Sequence, residues 1–362
     1  MKVVIERNQL LPAVQNVIGA IQTKSSLTVL TFLHAKGDGE TITLMGTDLE
    51  TTLRSRFTAH HEPFELLLPA KRLSDILKAL PDGFVGMEQS EDKVTLKSGK
   101  SRYKLATIDV GEYPAPPDNE FDESFIINQA KLRNLIVYTE HAMAKKDVRY
   151  YLNGQCWQLI ENQLNVCCSD GHRLAKISEV LNHRPNEPKE IIVPFQATQE
   201  LKKLLAKEGD AECTVKIGMN HVAVDMGDIQ FQSKLIDGKF PDFSRVIPKE
   251  IKFTIPIGRE AFLNAVNRVS LIIDTNVGVA LEFSENLLSL KAMSNGEESE
   301  EQVEVTTSEQ FVIGFNAYYL LDIAKVMRSE VINLNFTDAQ SAMMIDSPES
   351  DEGVYVVMPM RL

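Results

Sequence analysis

Cysteine is scarce: Cys156, Cys167, Cys168 and Cys213 are the only four in 362 residues, with no Cys-x-x-Cys spacing and no paired His ligands. That pattern gives no basis for a disulfide or a zinc site, so all four read as reduced core residues. His60-His61 has no Cys or second His pair beside it and reads as a surface loop, not a metal site. No apolar run is long enough to span a bilayer. No Walker sequence and no Gly-x-Gly-x-x-Gly occurs, which removes the usual nucleotide cradles. Zinc-finger spacing and the aromatic signature of RNA-binding sheets are missing, and nothing requires a helix-turn-helix. The single tryptophan, Trp157, is most simply core. Glu6 and Arg7 stand where a signal peptide needs its apolar centre, so a cytoplasmic protein is expected. Basic charge is short too, 38 Lys and Arg against 51 Asp and Glu, a net −13. Net charge governs solubility and long-range repulsion; it does not say what one face presents.

What is present is a repeat. A chain of this length outgrows one hydrophobic core, and 43% hydrophobic with 25% charged residues is ordinary for a soluble globular protein. Phe64–Leu80 reads as a short apolar strand ending at Pro69, then a helix. Its apolar residues Leu73, Ile76, Leu77 and Leu80 fall at i, i+3, i+4 and i+7, with Lys71, Arg72 and Lys78 on the other face. The unit returns at Ile191–Leu205 and Phe311–Met327. Aligning Pro69, Pro194 and Gly314 gives offsets of 125 and 120 residues. A period that long means three copies of a domain, expected over 1–120, 121–248 and 249–362.

Within each copy a strand–helix–strands module is written twice, which makes the fold class α+β. Lys2–Ile5 opens the first, followed by a helix with the stripe Leu11, Val14, Ile18 and Ile21. Thr41–Met45 and Thr51–Phe57 flank a turn at Gly46-Thr47-Asp48. The Pro-rich acidic stretch Tyr113–Glu123 reads as a linker. The next helix carries Leu132, Leu135, Ile136, Thr139 and Met143. The fifth carries Phe262, Ala265, Val266 and Val269. Gly238-Lys239-Phe240-Pro241 matches Gly111-Glu112-Tyr113-Pro114 at an offset of 127.

Charge is segregated. The six helices and the residues just beyond their ends hold fifteen basic and five acidic side chains, so they carry +10 and the remainder −23. One such helix is usually just a solvated face. Six of one sign on an acidic chain suit phosphate contact without base readout, through residues such as Lys71, Lys78, Lys202 and Lys203.

The string Ser169-Asp170-Gly171-His172-Arg173, beside Cys168, holds a nucleophile, a carboxylate and an imidazole. A hydrolase built on it is the alternative reading. Triads converge in space and not in sequence, and the string aligns with Gly46-Thr47-Asp48-Leu49, which lacks His; a structural turn is favoured. No catalytic residue, metal ligand or cofactor is assigned. The acidic run Glu297–Glu301 and the basic stretch Lys100–Lys104 lie in the third and first copies, as a head-to-tail contact between two chains needs.

These landmarks, with Asp147–Gly154, Ser169–Ala175, Gly238–Asp242 and the terminal Tyr355–Leu362, closely resemble the bacterial sliding clamps, the beta subunits of DNA polymerase III, along the whole chain. The resemblance implies a non-catalytic processivity factor. Two chains close head to tail into a ring of six similar domains, with helices lining the hole and sheets outside. It implies duplex DNA, a replicative polymerase subunit, a clamp loader that hydrolyses ATP, and other polymerases and repair proteins as partners, with no membrane and no cofactor. DNA contacts would fall to Lys24, Lys146, Arg149, Tyr150 and Tyr151. A groove for short apolar peptides would use Leu152, Ser169, Gly171, His172, Arg173, Leu174, Pro241, Arg245 and Val246. From the chain end it would take Val356, Val357, Met358, Pro359, Met360 and Arg361. Ring closure would use Lys100, Arg102, Tyr103 and Leu105 against Leu271, Ile272, Glu297, Glu298, Glu300 and Glu301.

Overall fold

The computed structural model describes residues 2–90, 92–115, 119–274, 277–348 and 352–361. Pro116, Pro117 and Asp118 of the expected linker, and the terminal Leu362, lie outside the described residues. Among those described, strand–helix–three strands is written six times. The first two modules run β1 (Lys2–Glu6), α1 (Arg7–Val17), β2 (Phe32–Gly37), β3 (Thr41–Thr47), β4 (Thr51–Thr58), then β5 (Phe64–Pro69), α2 (Ala70–Ala79), β6 (Phe84–Ser90), β7 (Lys93–Ser98), β8 (Ser101–Ala106). The next two are β9 (Glu123–Asn128), α3 (Gln129–Thr139), β10 (Gly154–Ile160), β11 (Gln163–Ser169), β12 (Arg173–Val180), then β13 (Lys189–Pro194), α4 (Phe195–Leu204), β14 (Glu212–Ile217), β15 (His221–Asp225), β16 (Ile229–Lys234). The last two are β17 (Phe253–Gly258), α5 (Arg259–Val269), β18 (Gly278–Ser284), β19 (Leu287–Ser294), β20 (Glu297–Glu304), then β21 (Phe311–Asn316), α6 (Ala317–Val326), β22 (Val331–Phe336), β23 (Met343–Asp346), β24 (Val354–Val357).

Helix positions follow from apolar spacing. In α3 and α5 the expected stripes are the buried ones. In α1 the buried set is Leu10, Ala13, Val14 and Val17, one residue off the expected phase. Adjacent leucines at 10 and 11 permit either phase; the one adopted sets Val17 two turns beyond Leu10 and leaves Leu11 partly exposed. The repeat register also needs correction. The second helix of each copy starts at Ala70, Phe195 and Ala317, offsets of 125 and 122, so Asn316 and not Gly314 matches Pro194. Asn316 pairs with Gly278 as Pro194 pairs with Gly154.

The opening strand of each module pairs with the three strands of the other module in its copy: β1 with β6 and β5 with β2, and likewise β9 with β14 and β13 with β10. The chain forms two compact units, residues 1–130 with 196–235, and 131–195 with 236–362. The first holds the sheets β1-β6-β7-β8 and β5-β2-β3-β4-β16-β15-β14-β9. The second holds β13-β10-β11-β12-β24-β23-β22-β17 and β20-β19-β18-β21. Each eight-stranded sheet is thus two four-stranded halves abutting edge to edge, at β4·β16 and at β12·β24. The four-stranded sheets end at β1 and β8 and at β20 and β21, and β8 and β20 are the strands that correspond to the abutting β4, β16, β12 and β24. No helix among the described residues is long and apolar enough to cross a membrane.

Candidate functional site

The groove grows from the turn between β11 and β12. Asp170 accepts the backbone N–H groups of His172 (2.9 Å) and Arg173 (3.1 Å) on one carboxylate oxygen. The Ser169 hydroxyl accepts the Gly171 N–H (3.1 Å) and donates to the Arg173 carbonyl (2.8 Å). The same two bonding patterns hold the turn after β3, with Thr47 and Asp48 in place of Ser169 and Asp170. Gly171 has φ 89°, and a Cβ there would stand 2.7 Å from the Arg149 guanidinium. Glycine meets both demands. Arg149 in turn clasps Asp147 through Nε (3.0 Å) and Nη2 (2.8 Å) and donates to the Asp170 carbonyl (3.0 Å). Those hydrogen bonds hold the Asp147 carboxyl down at about 2.

Arg173 is the node beneath. Its Nε meets Asp170 (3.0 Å) and its Nη1 meets Asp322 of α6 (2.7 Å), while the guanidinium lies 4.3 Å from the Tyr319 ring centre. Only 11% of its side chain is exposed, so both carboxylates are needed to compensate the buried charge. β24 pairs with β12, setting Val356 opposite Leu174, and the Met358 N–H bonds the His172 carbonyl (2.9 Å). Leu152, Leu174, Phe240, Phe243 and Val356 make a buried apolar floor. The resulting cavity is about 220 Å³.

Nine of the expected groove residues line it: Leu152, Ser169, Gly171, Arg173, Leu174, Pro241, Val246, Val356 and Met358. Six do not. His172 is exposed on the turn, and Arg245 points out to Asp242 (2.9 Å). Val357 alternates to the opposite face of β24 and is buried in the second unit's main core. After Pro359 the chain is drawn away, because the Met360 N–H bonds Gly314 (2.9 Å) and its side chain packs over Gly278. Met360 and Arg361 line a separate cavity over β18–β20. Sequence reasoning missed Phe240, Asp242 and Phe243. The repeated Gly-Lys-Phe-Pro landmark was the available signal for Phe240.

Of the residues expected at DNA, Lys24, Lys71, Lys78 and Lys146 are exposed. Arg149 and Tyr151 line the groove instead of standing free, and Tyr150 packs edge-to-face on Tyr151 at 5.7 Å. Lys202 reaches Gln199 (2.9 Å) and Lys203 pairs with Glu200 (2.6 Å), one turn back on α4. Within the observed helix bounds there are eleven basic and four acidic residues, so the helices carry +7, less than expected, because several counted cations sit in the turns beyond.

Three parts of the DNA polymerase III beta subunit family match the chain: the N-terminal domain over residues 1–117, the central domain over 126–242 and the C-terminal domain over 244–361. The chain belongs to the beta sliding clamp family. The beta sliding clamps of Pseudomonas aeruginosa and Escherichia coli K12 are each 35% identical to it, with all of both chains covered. A crystal structure of the Pseudomonas aeruginosa clamp bound to griselimycin matches with TM-score 0.96 at 36% identity, again over all of both chains. The Bartonella birtlesii clamp bound to griselimycin matches with TM-score 0.96 at 29% identity.

In this clamp the open edges carry opposite charge. Arg102 and Lys104 are exposed on β8, and Glu297, Glu298, Glu300 and Glu304 on β20. Glu301 faces the other way, held by Arg268 of α5 through two bonds of 2.8 and 2.6 Å. Leu271 is 77% exposed, whereas Leu105 is buried under its own sheet and Ile272 packs on the second unit's core.

Proposed function

We propose that this clamp is a three-domain protomer, divided near residues 120 and 248, that closes head to tail with a second copy around duplex DNA. It works in the cytoplasm as a non-catalytic tether for the replicative polymerase. A loader opens the ring, and other polymerases and repair proteins compete for the groove. The observation that carries the reading is the pair of unlike open edges. Both eight-stranded sheets are built by abutting two four-stranded halves. Among the described residues, basic β8 and acidic β20 are the module-closing strands that have no abutting partner, and a β8·β20 pairing between chains would repeat the same construction with complementary charge. Lys24, Lys71, Lys78 and Lys146 are exposed cations that would meet phosphates loosely, with no base readout. Lys202 and Lys203 would contribute less, being engaged on their own helix. The apolar floor and arginine rim of the groove suit a short apolar peptide.

The hydrolase alternative lacks a nucleophile. The Ser169 hydroxyl is committed to a backbone carbonyl. Burial pushes the Cys168 thiol up to about 12. Retention on DNA circles tests the proposal. After loading with a clamp loader and ATP, the protein should survive a high-salt wash on circular DNA and leave once the circle is cut. Loss at high salt from circles and linear DNA alike would sink it, since simple phosphate contact is salt-sensitive.

A further inference from the structure

The β4·β16 seam carries a second cavity, unrelated to the groove, on the sheet face that turns away from the core. Leu53, Phe231, Val224 and Val215 point inward, so their strand neighbours share the opposite face. The ladder sets two rows across it. Thr52, Gln232, Ala223 and Lys216 stand side by side, and Arg54, Gln230 and Asp225 form the row beside them. Small Ala223 leaves a hollow of about 170 Å³, walled by Phe121. Arg54 and Lys216 approach the hollow from opposite rims, three strand spacings and one row apart, about 16 Å along the backbone.

Neither cation makes a hydrogen bond or ion pair among the described residues. Burial, with Arg56 nearby, lowers the Arg54 pKa, and no carboxylate among the described residues opposes that shift. The one acidic residue on the hollow among those described, Asp225, is occupied: its oxygens accept the Gly227 N–H (2.9 Å) and the Gln230 amide (3.1 Å). A half-buried guanidinium without a counter-charge is costly, and the cost is offset when an anion arrives.

We infer that this hollow binds a short aliphatic dicarboxylate. One carboxylate meets the Arg54 fork, the other meets Lys216, and the methylenes lie over Ala223 against Phe121. A single-centred anion would satisfy one rim only. Because Arg54 lies on β4 while Gln230 and Gln232 lie on β16, the ligand would also brace the seam.

Calorimetric titration of the full chain with glutarate tests the assignment, with acetate and inorganic phosphate as comparisons. Glutarate should bind saturably, and acetate at least about tenfold more weakly. Arg54→Met and Lys216→Met should each weaken glutarate about tenfold or more, while Arg54→Lys should lose less than Arg54→Met. Glutarate should also raise the melting temperature of the wild type and not of Arg54→Met. Unchanged glutarate affinity in a folded Arg54→Met or Lys216→Met protein would overturn the inference. So would phosphate binding as tightly as glutarate, or no saturable binding by about 20 mM glutarate.

Discussion

The seam at β12·β24 and the seam at β4·β16 share a backbone and differ in what fills it. Both have a turn held by a hydroxyl and an aspartate, Ser169 with Asp170 and Thr47 with Asp48. Both are crossed by a Pro-containing segment after an aromatic residue, Phe240-Pro241 and Tyr113-Pro114. Yet the pocket beside the first turn encloses about 220 Å³ and the matching one beside the second turn about 50 Å³. Gly171 on the first corresponds to Leu49 on the second, which keeps the left-handed backbone at φ 77° despite its side chain. Arg173 corresponds to Thr51. Glu200 and Asp322 occupy matching places on α4 and α6. Glu200 packs against Gly19, with no room there for a Cβ, while Asp322 reaches Arg173 near His141, the counterpart of Gly19. A duplicated scaffold therefore makes a groove beside one turn and a nearly filled copy beside the other by exchanging a few side chains, with the hydrogen-bonded turn left alone.

The sharpest way to separate the seams is Arg173→Met. It strands Asp170 and Asp322 beside an apolar side chain and should cost about 3 kcal/mol in denaturant unfolding, whereas Thr51→Ala should cost less than about 1 kcal/mol. Equal losses would mean that the carboxylates relax into water. Exchanging Gly171 for the other seam's residue comes next. Gly171→Leu should displace Arg149 and weaken a labelled apolar peptide about 100-fold by anisotropy, while Leu49→Gly leaves that affinity unchanged. Full peptide binding by Gly171→Leu would move the groove elsewhere.

The smallest effect is a pH dependence from a histidine whose counterpart in the other seam is Gly19. Burial, then Arg173, holds His141 down at about 4 against an ordinary 6.5. Its folded pKa is the lower, so the unfolded chain binds the extra proton between those values. Stability should rise with pH through that window and be lost as pH falls from 6.5 towards 4, by about 1–3 kcal/mol. His141→Gln should flatten this part of the profile, and an unchanged slope would assign it to other groups.

Much of this was legible in the chain. The module order, the stripes of α3 and α5 and the turn reading of Ser169–Arg173 all follow from spacing, because amphipathic helices and Asx-type turns are local. Which strand pairs with which is not local. Val3 and Ile5 of β1 would alternate identically against any partner, so nothing in them specifies β6. The Leu10-Leu11 doublet left the phase of α1 open, and only packing chose it. Met360 and Arg361 left the groove because of one backbone bond to Gly314, a residue 46 positions away. Counting charge along helices included Glu200 but not its place one turn before Lys203, where it pairs with that cation.

The exchange of opening strands has a consequence for synthesis. Lys2–Glu6 leaves the ribosome roughly eighty residues before its partner Phe84–Glu88. Until then Val3 and Ile5 have no sheet to enter, and the nascent chain carries an apolar strand that only a chaperone or its own collapse can shield. β4 waits longer still, for Ile229–Ser233. A ribosome stalled between those points would display an unpaired edge, which makes the order of translation, and not only the finished contacts, part of how this chain avoids pairing with its neighbours.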